Sequence, residues 1–288
     1  MVVNVLTSSS PSHAIRIGPA GWSYKDWEGI VYPEHGSRFD HLQYLAQYFD
    51  TIEVNSSFYR IPPVTHARSW IKRTAFNEDF RFTVKLYKAF THEEPEPAND
   101  VRLFRDFLGP LQDDGRLGAL LIQFPWSFKN DQRAIEKLRR IFDDFREYPK
   151  ALEVRHSSFQ NSAFLHFLQE QDVSFVNIDQ PLFSNSVKPS DLLSGPLAYV
   201  RLHGRNYQKW FSHEESWERY DYLYSQEELE PWVERIEMMR EEKDVYAITN
   251  NHFRGQAIVN AIDLKRSLGL PAEVPPPMVE MMTERKSS

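Results

Sequence analysis

Hydrophobic positions along the chain recur in one alternation. A short apolar or alternating run is followed by a polar loop and then by apolar residues spaced three and four apart. The short runs are 15–18, 51–55, 81–85, 117–123, 151–155, 173–179, 197–203 and 244–250, and each predicts a β-strand. Between them, sets such as Phe39, Leu42, Ala46, Phe49 and Ile135, Leu138, Ile141, Phe142 predict helices with one buried face. Segment 182–193 reads as helix-like, and a last helix runs through Ile258, Ala261, Ile262 and Leu268 to stop at Gly269 before Pro271. Ser37 with Asp40, and Ser225 with Glu228, have capping-box spacing, and Asp100 and Asn130 are expected N-caps. Pro231 places the start of its helix nearer Glu230.

Eight β-α units in this length predict a single-domain α/β protein, a (β/α)8 TIM-type barrel over 15–270. Residues 1–14 are expected to form a flexible N-terminal tail and 271–288 a Pro-rich C-terminal tail. An open doubly wound sheet is the weaker alternative, because Gly18-Pro19-Ala20-Gly21 lacks the third glycine of a dinucleotide loop.

Composition narrows the chemistry. The 288 residues include no Cys, which excludes disulfides and thiolate catalysis. The net charge of −7 does not favour nucleic acid as a partner, although a local basic groove leaves one open. The first fifteen residues carry no Lys or Arg, and no run approaches the roughly 20 apolar residues of a bilayer span, so a cytoplasmic location without membrane contact is expected.

Strand alternation then sorts side chains by face. If Ile52, Val54, Phe82, Val84, Leu152, Val154, Val200 and Leu202 pack outward on helices, then Glu53, Asn55, Lys85, Glu153, Arg155, Arg201 and His203 point inward. Gln123, Asp179 and Asn250 end their strands on what should be the same inner face. Ionisable groups near the carboxyl ends of barrel strands are costly unless paired or functional, and active sites lie at that end. Two Arg and one Lys converging there suit a phosphate or carboxylate. A buried ion-pair network that merely closes the barrel is the competing reading. Aromatic loops 20–32, with Trp22, Tyr24, Trp27 and Tyr32, and 204–225, with Trp210, Phe211, Trp217 and Tyr220, are expected to line the mouth or pack over its rim.

Gly18-Pro19-Ala20-Gly21-Trp22-Ser23-Tyr24, Thr51-Ile52-Glu53-Val54-Asn55-Ser56-Ser57-Phe58-Tyr59, Phe82-Thr83-Val84-Lys85, Thr91-His92, Gln123-Phe124-Pro125, Glu153-Val154-Arg155-His156, Tyr199-Val200-Arg201-Leu202-His203-Gly204 and Asn250-Asn251 occur in order. Over about residues 15–270 the chain resembles the YecE-like family, known as domain of unknown function 72. The resemblance implies a TIM-type barrel and no particular reaction.

Four functions compete. The first is a hydrolase or phosphodiesterase-like enzyme acting on a small anionic ligand. Glu53 or Glu153 would be base, His203 acid or base, Lys85, Arg155 and Arg201 anion holders, and Asn55, Gln123, Asp179, Asn250, Trp22 and Tyr24 substrate contacts. No cofactor is expected, though a divalent metal stays open: in a nuclease-like barrel similar to endonuclease-IV-type enzymes, Glu53, Glu153, Asp179 and His203 would be its ligands, against the repulsion of three cations. A retaining glycosidase lacks its carboxylates at the ends of the fourth and seventh strands, where Gln123, Arg201 and His203 stand. A ligand-binding barrel without turnover is the fourth. His92 and His156 are read as structural, and His13, His35, His41, His66, His166 and His213 receive no role. Acidic run 93–97 reads as a solvated loop.

Overall fold

A computed structural model describes residues 13–36, 38–93, 99–212, 214–215 and 217–285. Eight strands form one parallel sheet: β1 (Ile15–Pro19), β2 (Thr51–Val54), β3 (Arg81–Lys85), β4 (Leu117–Gln123), β5 (Lys150–Glu153), β6 (Val173–Asp179), β7 (Ala198–Leu202) and β8 (Val245–Thr249). Their order is β1-β8-β7-β6-β5-β4-β3-β2. The ring closes between β1 and β2 by one parallel bridge, Ala20 to Glu53, with the Gly21 N–H donating to the Glu53 carbonyl at 2.8 Å. The predicted TIM-type barrel is the observed one.

Helices cover the outside as the apolar spacing requires. Leu138, Ile141 and Phe142 of helix Gln132–Asp144 are buried, as are Phe104, Phe107, Leu108 and Leu111 of Asp100–Asp113. Ser225 and Glu228 form the expected capping box. Other helix starts differ by a residue or more. Asp40 is itself an N-cap accepting from Gln43 N–H, whereas its expected partner Ser37 lies outside the described residues. Asp131, not Asn130, caps Gln132–Asp144, and Asn99 precedes Asp100–Asp113. Helix Gln226–Arg240 starts before the expected Glu230 and runs through Pro231.

Two segments depart further. No helix forms over 180–197. There the Asn177 side chain, pointing away from the barrel interior, donates to the Leu192 carbonyl and accepts from Leu192 N–H and Ser190, so a side chain ties down the crossover. The C-terminal segment packs on the barrel: helix Val279–Glu284 buries Met282, the turn before it buries Met278, and Arg285 pairs with Asp263 at 2.9 Å. Its prolines shape a turn into the helix instead of a loose end. The first twelve residues, and residues 94–97 of the acidic run, lie outside the described residues.

Gly18 governs the seam. A Cβ there would sit 1.8 Å from the Thr51 carbonyl oxygen, a backbone atom with nowhere to move. Gly18→Ala should therefore push β1 from β2 and destabilise the fold by at least about 3 kcal/mol. A melting temperature equal to that of the parent would show that the seam tolerates a side chain.

Candidate functional site

The strands deliver inward side chains at the carboxyl-terminal mouth in the predicted parity. At the centre, Arg201 on β7 donates from Nη2 to Glu53 Oε1 at 2.6 Å and from Nη1 to Glu153 Oε2. Glu53 also accepts from Tyr199 Oη at 2.9 Å. Glu153 binds Arg155 through Nε at 2.9 Å and lies 3.2 Å from His203 Nε2. Asn250 Nδ2 lies 2.9 Å from His203 Nδ1 and, as an amide N–H, can only donate, so His203 carries its proton on Nε2 and donates to Glu153. Both carboxylates and His203 are fully buried.

Burial alone would raise the Glu153 carboxyl. The Arg201 guanidinium first, then His203 and Arg155, outweigh that and hold it well below the usual carboxylate range. Burial drives the His203 imidazole down to about 3, against the pull of Glu153. His203 is thus a neutral, oriented hydrogen-bond donor, which corrects its expected acid–base role near neutrality.

Above this layer opens a cavity of about 1210 Å³. Trp22, Tyr24, Asn55, Lys85, Gln123, Arg155, Arg201 and Asn250 line it, as expected. Glu53, Glu153 and His203 do not; they lie beneath, where the two carboxylates hold the arginines. Arg60 and Arg219 join the lining cations, and among the described residues no Asp or Glu lines the cavity. The carboxylate expected as base, Glu53 or Glu153, therefore does not face the cavity.

Asp179 is the clearest correction. Ile178 pairs with inward Arg201 and Asp179 with outward Leu202, so Asp179 leaves the barrel interior. Outside, it accepts from Arg205 at 2.7 and 2.8 Å, Tyr224 Oη at 2.8 Å and Trp232 Nε1 at 2.8 Å. These donors make burial of a carboxylate among helices tolerable. With Asp179 on the far side and Glu53 and Glu153 bound by guanidinium groups, the four expected metal ligands do not converge.

The ammonium of Lys85, at the end of β3, makes no hydrogen bond or ion pair among the described residues. Its ammonium lies 3.9 Å from the Phe58 ring centroid. Burial, then Arg201, push it down to about 7. His92 and His252, outside the expected site, also line the cavity, and burial brings each to about 4. His252 stacks on Tyr24 at 4.4 Å. His66, given no role from sequence, is a further lining residue. Asn55 Oδ1, Trp126 Nε1, Arg201 Nε and His252 Nδ1 are buried polar atoms of the lining without a hydrogen-bond partner. Trp210, Phe211 and Tyr220 from the long aromatic loop complete the wall, whereas Trp27 and Tyr32 are buried behind it; His213 lies outside the described residues.

Fold and site together define an α/β barrel protein of TIM type with a cationic, aromatic-walled pocket at its carboxyl-terminal mouth. The family described as "protein of unknown function DUF72" matches residues 16–283. The chain is 31% identical over 267 residues to the UPF0759 protein YunF of Bacillus subtilis, covering 85% of this chain and 92% of YunF. It is 27% identical over 148 residues to the UPF0759 protein YecE of Escherichia coli, half of each chain. The crystal structure of a DUF72 family protein from Thermotoga maritima superposes with a TM-score of 0.78 at 34% identity, covering 89% of this chain and 100% of that one. The chain belongs to the DUF72 family. Among the described residues no helix is long and apolar enough to cross a membrane.

Arg201→Met should leave two buried carboxylates without their shared cation. A loss of about 3–5 kcal/mol is expected from chemical denaturation, and a variant as stable as the parent would show the bridge to be dispensable. Lys85 should be acylated by acetic anhydride near neutral pH ahead of exposed lysines. Its reactivity, followed by peptide mass spectrometry, should have a half-point near 7; a half-point near 10 would contradict its setting.

Proposed function

We propose that the mouth is the active site of a hydrolase or phosphodiesterase-like enzyme acting on a small phosphate- or carboxylate-bearing molecule. One observation carries the reading: the cavity presents Lys85, Arg155, Arg201 and Arg60 and, among its described residues, no carboxylate. Glu53 and Glu153 aim Arg201, and Glu153 also aims Arg155, from behind, which fixes donor geometry for an anion before it binds. Aromatic walls offer faces to a sugar or a base of the same ligand. Lys85, partly deprotonated at neutral pH, takes the base role that the sequence suggests for Glu53 or Glu153. A cytoplasmic location fits the cysteine-free composition.

The pH dependence has a definite sign. A bound anion favours the Lys85 ammonium, so above pH 7 binding should take up a proton and weaken as pH rises. Base catalysis should instead strengthen as pH rises through 7. Calorimetry with inorganic phosphate and a nucleoside monophosphate, in buffers of different ionisation enthalpy, reads the first. Hydrolysis of bis-p-nitrophenyl phosphate reads the second. Arg155→Ala should weaken phosphate binding at least about tenfold, and Lys85→Met should remove turnover. Failure of a folded protein to bind either anion would sink the proposal. Binding without hydrolysis of any phosphate ester or diester would leave a ligand-binding barrel.

A further inference from the structure

Away from the pocket, on the far side of the loop that follows β1, three side chains converge that neither the fold nor the proposed function uses. Glu28 ends the short turn Lys25–Trp27, His35 lies in the loop beyond, and His41 opens the helix His41–Leu45. His35 Nε2 lies 2.5 Å from one oxygen of Glu28 and His41 Nε2 lies 3.0 Å from the other. The three donor atoms lie within 4.8 Å of one another.

The protons at His35 are informative. Its Nδ1 lies 3.0 Å from the Gly36 carbonyl oxygen, which can only accept, so Nδ1 carries a proton. In a neutral imidazole the Nε2 then presents a lone pair, and it faces a carboxylate oxygen. That His35 Nε2 is buried and makes no directed hydrogen bond. A lone pair against an anionic oxygen needs a cation between them, a proton or a metal ion. A proton would serve one imidazole. A metal ion would serve both imidazoles and the carboxylate together.

We propose that Glu28, His35 and His41 bind a borderline divalent cation of the zinc type, with solvent completing the shell. Two imidazoles and one carboxylate are a donor set for zinc and its neighbours, not for magnesium or calcium, which want oxygen alone. The His35–Gly36 contact is the outer hydrogen bond that orients a ligating imidazole. His35 is further fixed by stacking on Phe39 at 4.2 Å.

The site would staple the loop to the start of its helix. The same loop carries Trp22 and Tyr24 into the cavity, and the Tyr32 hydroxyl donates to the Trp22 carbonyl at 2.5 Å while its ring lies edge-on to His41 at 4.5 Å. Metal binding would therefore hold one wall of the pocket from outside. This inference does not depend on what the pocket binds.

The test titrates zinc chloride into full-length, untagged, chelator-treated protein, with calorimetry and thermal melting as readouts. One zinc per chain, a raised melting temperature, and a tetrahedral cobalt(II) absorption spectrum are expected. Glu28→Gln, His35→Gln and His41→Gln should each weaken zinc binding at least tenfold while leaving circular dichroism and metal-free melting close to the parent. Magnesium should give no shift. The proposal is overturned by the absence of saturable stoichiometric binding, by binding unchanged in all three variants, or by an NMR spectrum in which His35 keeps an Nε2 proton when zinc is added.

Discussion

The guanidinium of Arg201 lies between two buried carboxylates contributed by strands on opposite arcs of the barrel. Glu53 comes from β2 and Glu153 from β5, and neither could be buried there without the cation they share. The bridge also ties together strands distant in sequence, 148 residues in one case. What surrounds it follows from its geometry. Glu153 has an oxygen left for Arg155 and His203, and Asn250 then sets the tautomer of His203. Tyr199 and Thr83 close the Glu53 side.

That arrangement determines the character of the pocket. The acids are spent beneath the floor, and the cations they orient form part of its surface. Lys85 stands apart, beside the Phe58 face and within the field of Arg201, and therefore tends toward the neutral amine. The floor thus presents fixed guanidinium donors, with the Lys85 amine beside them. The inward ionic cluster closes the barrel centre and positions the guanidinium groups that border the cavity.

Local rules misplace residues where one extra contact decides. Asp179 ends β6 and looks like its neighbours Glu153 and Arg201, yet register with β7 turns it outward. Its donors Tyr224 and Trp232 lie 45 and 53 residues away, so nothing near Asp179 announces them. His252 and His92 enter the cavity from loops, whose paths no periodicity describes. The prolines near the C-terminus suggest a loose end, although Met278 and Met282 find an apolar surface on the barrel.

Period-two alternation in the strands and period-three-to-four spacing between them were enough to determine eight β-α units and the inward parity of Glu53, Lys85, Glu153, Arg155, Arg201 and His203. Those are local properties, set by backbone geometry and the need to bury one face. Only the closed ring decided which inward groups touch solvent and which are consumed in pairing. Depth along a barrel axis, loop path and shared partners arise from contacts between residues far apart in sequence, and no short window of a chain contains them.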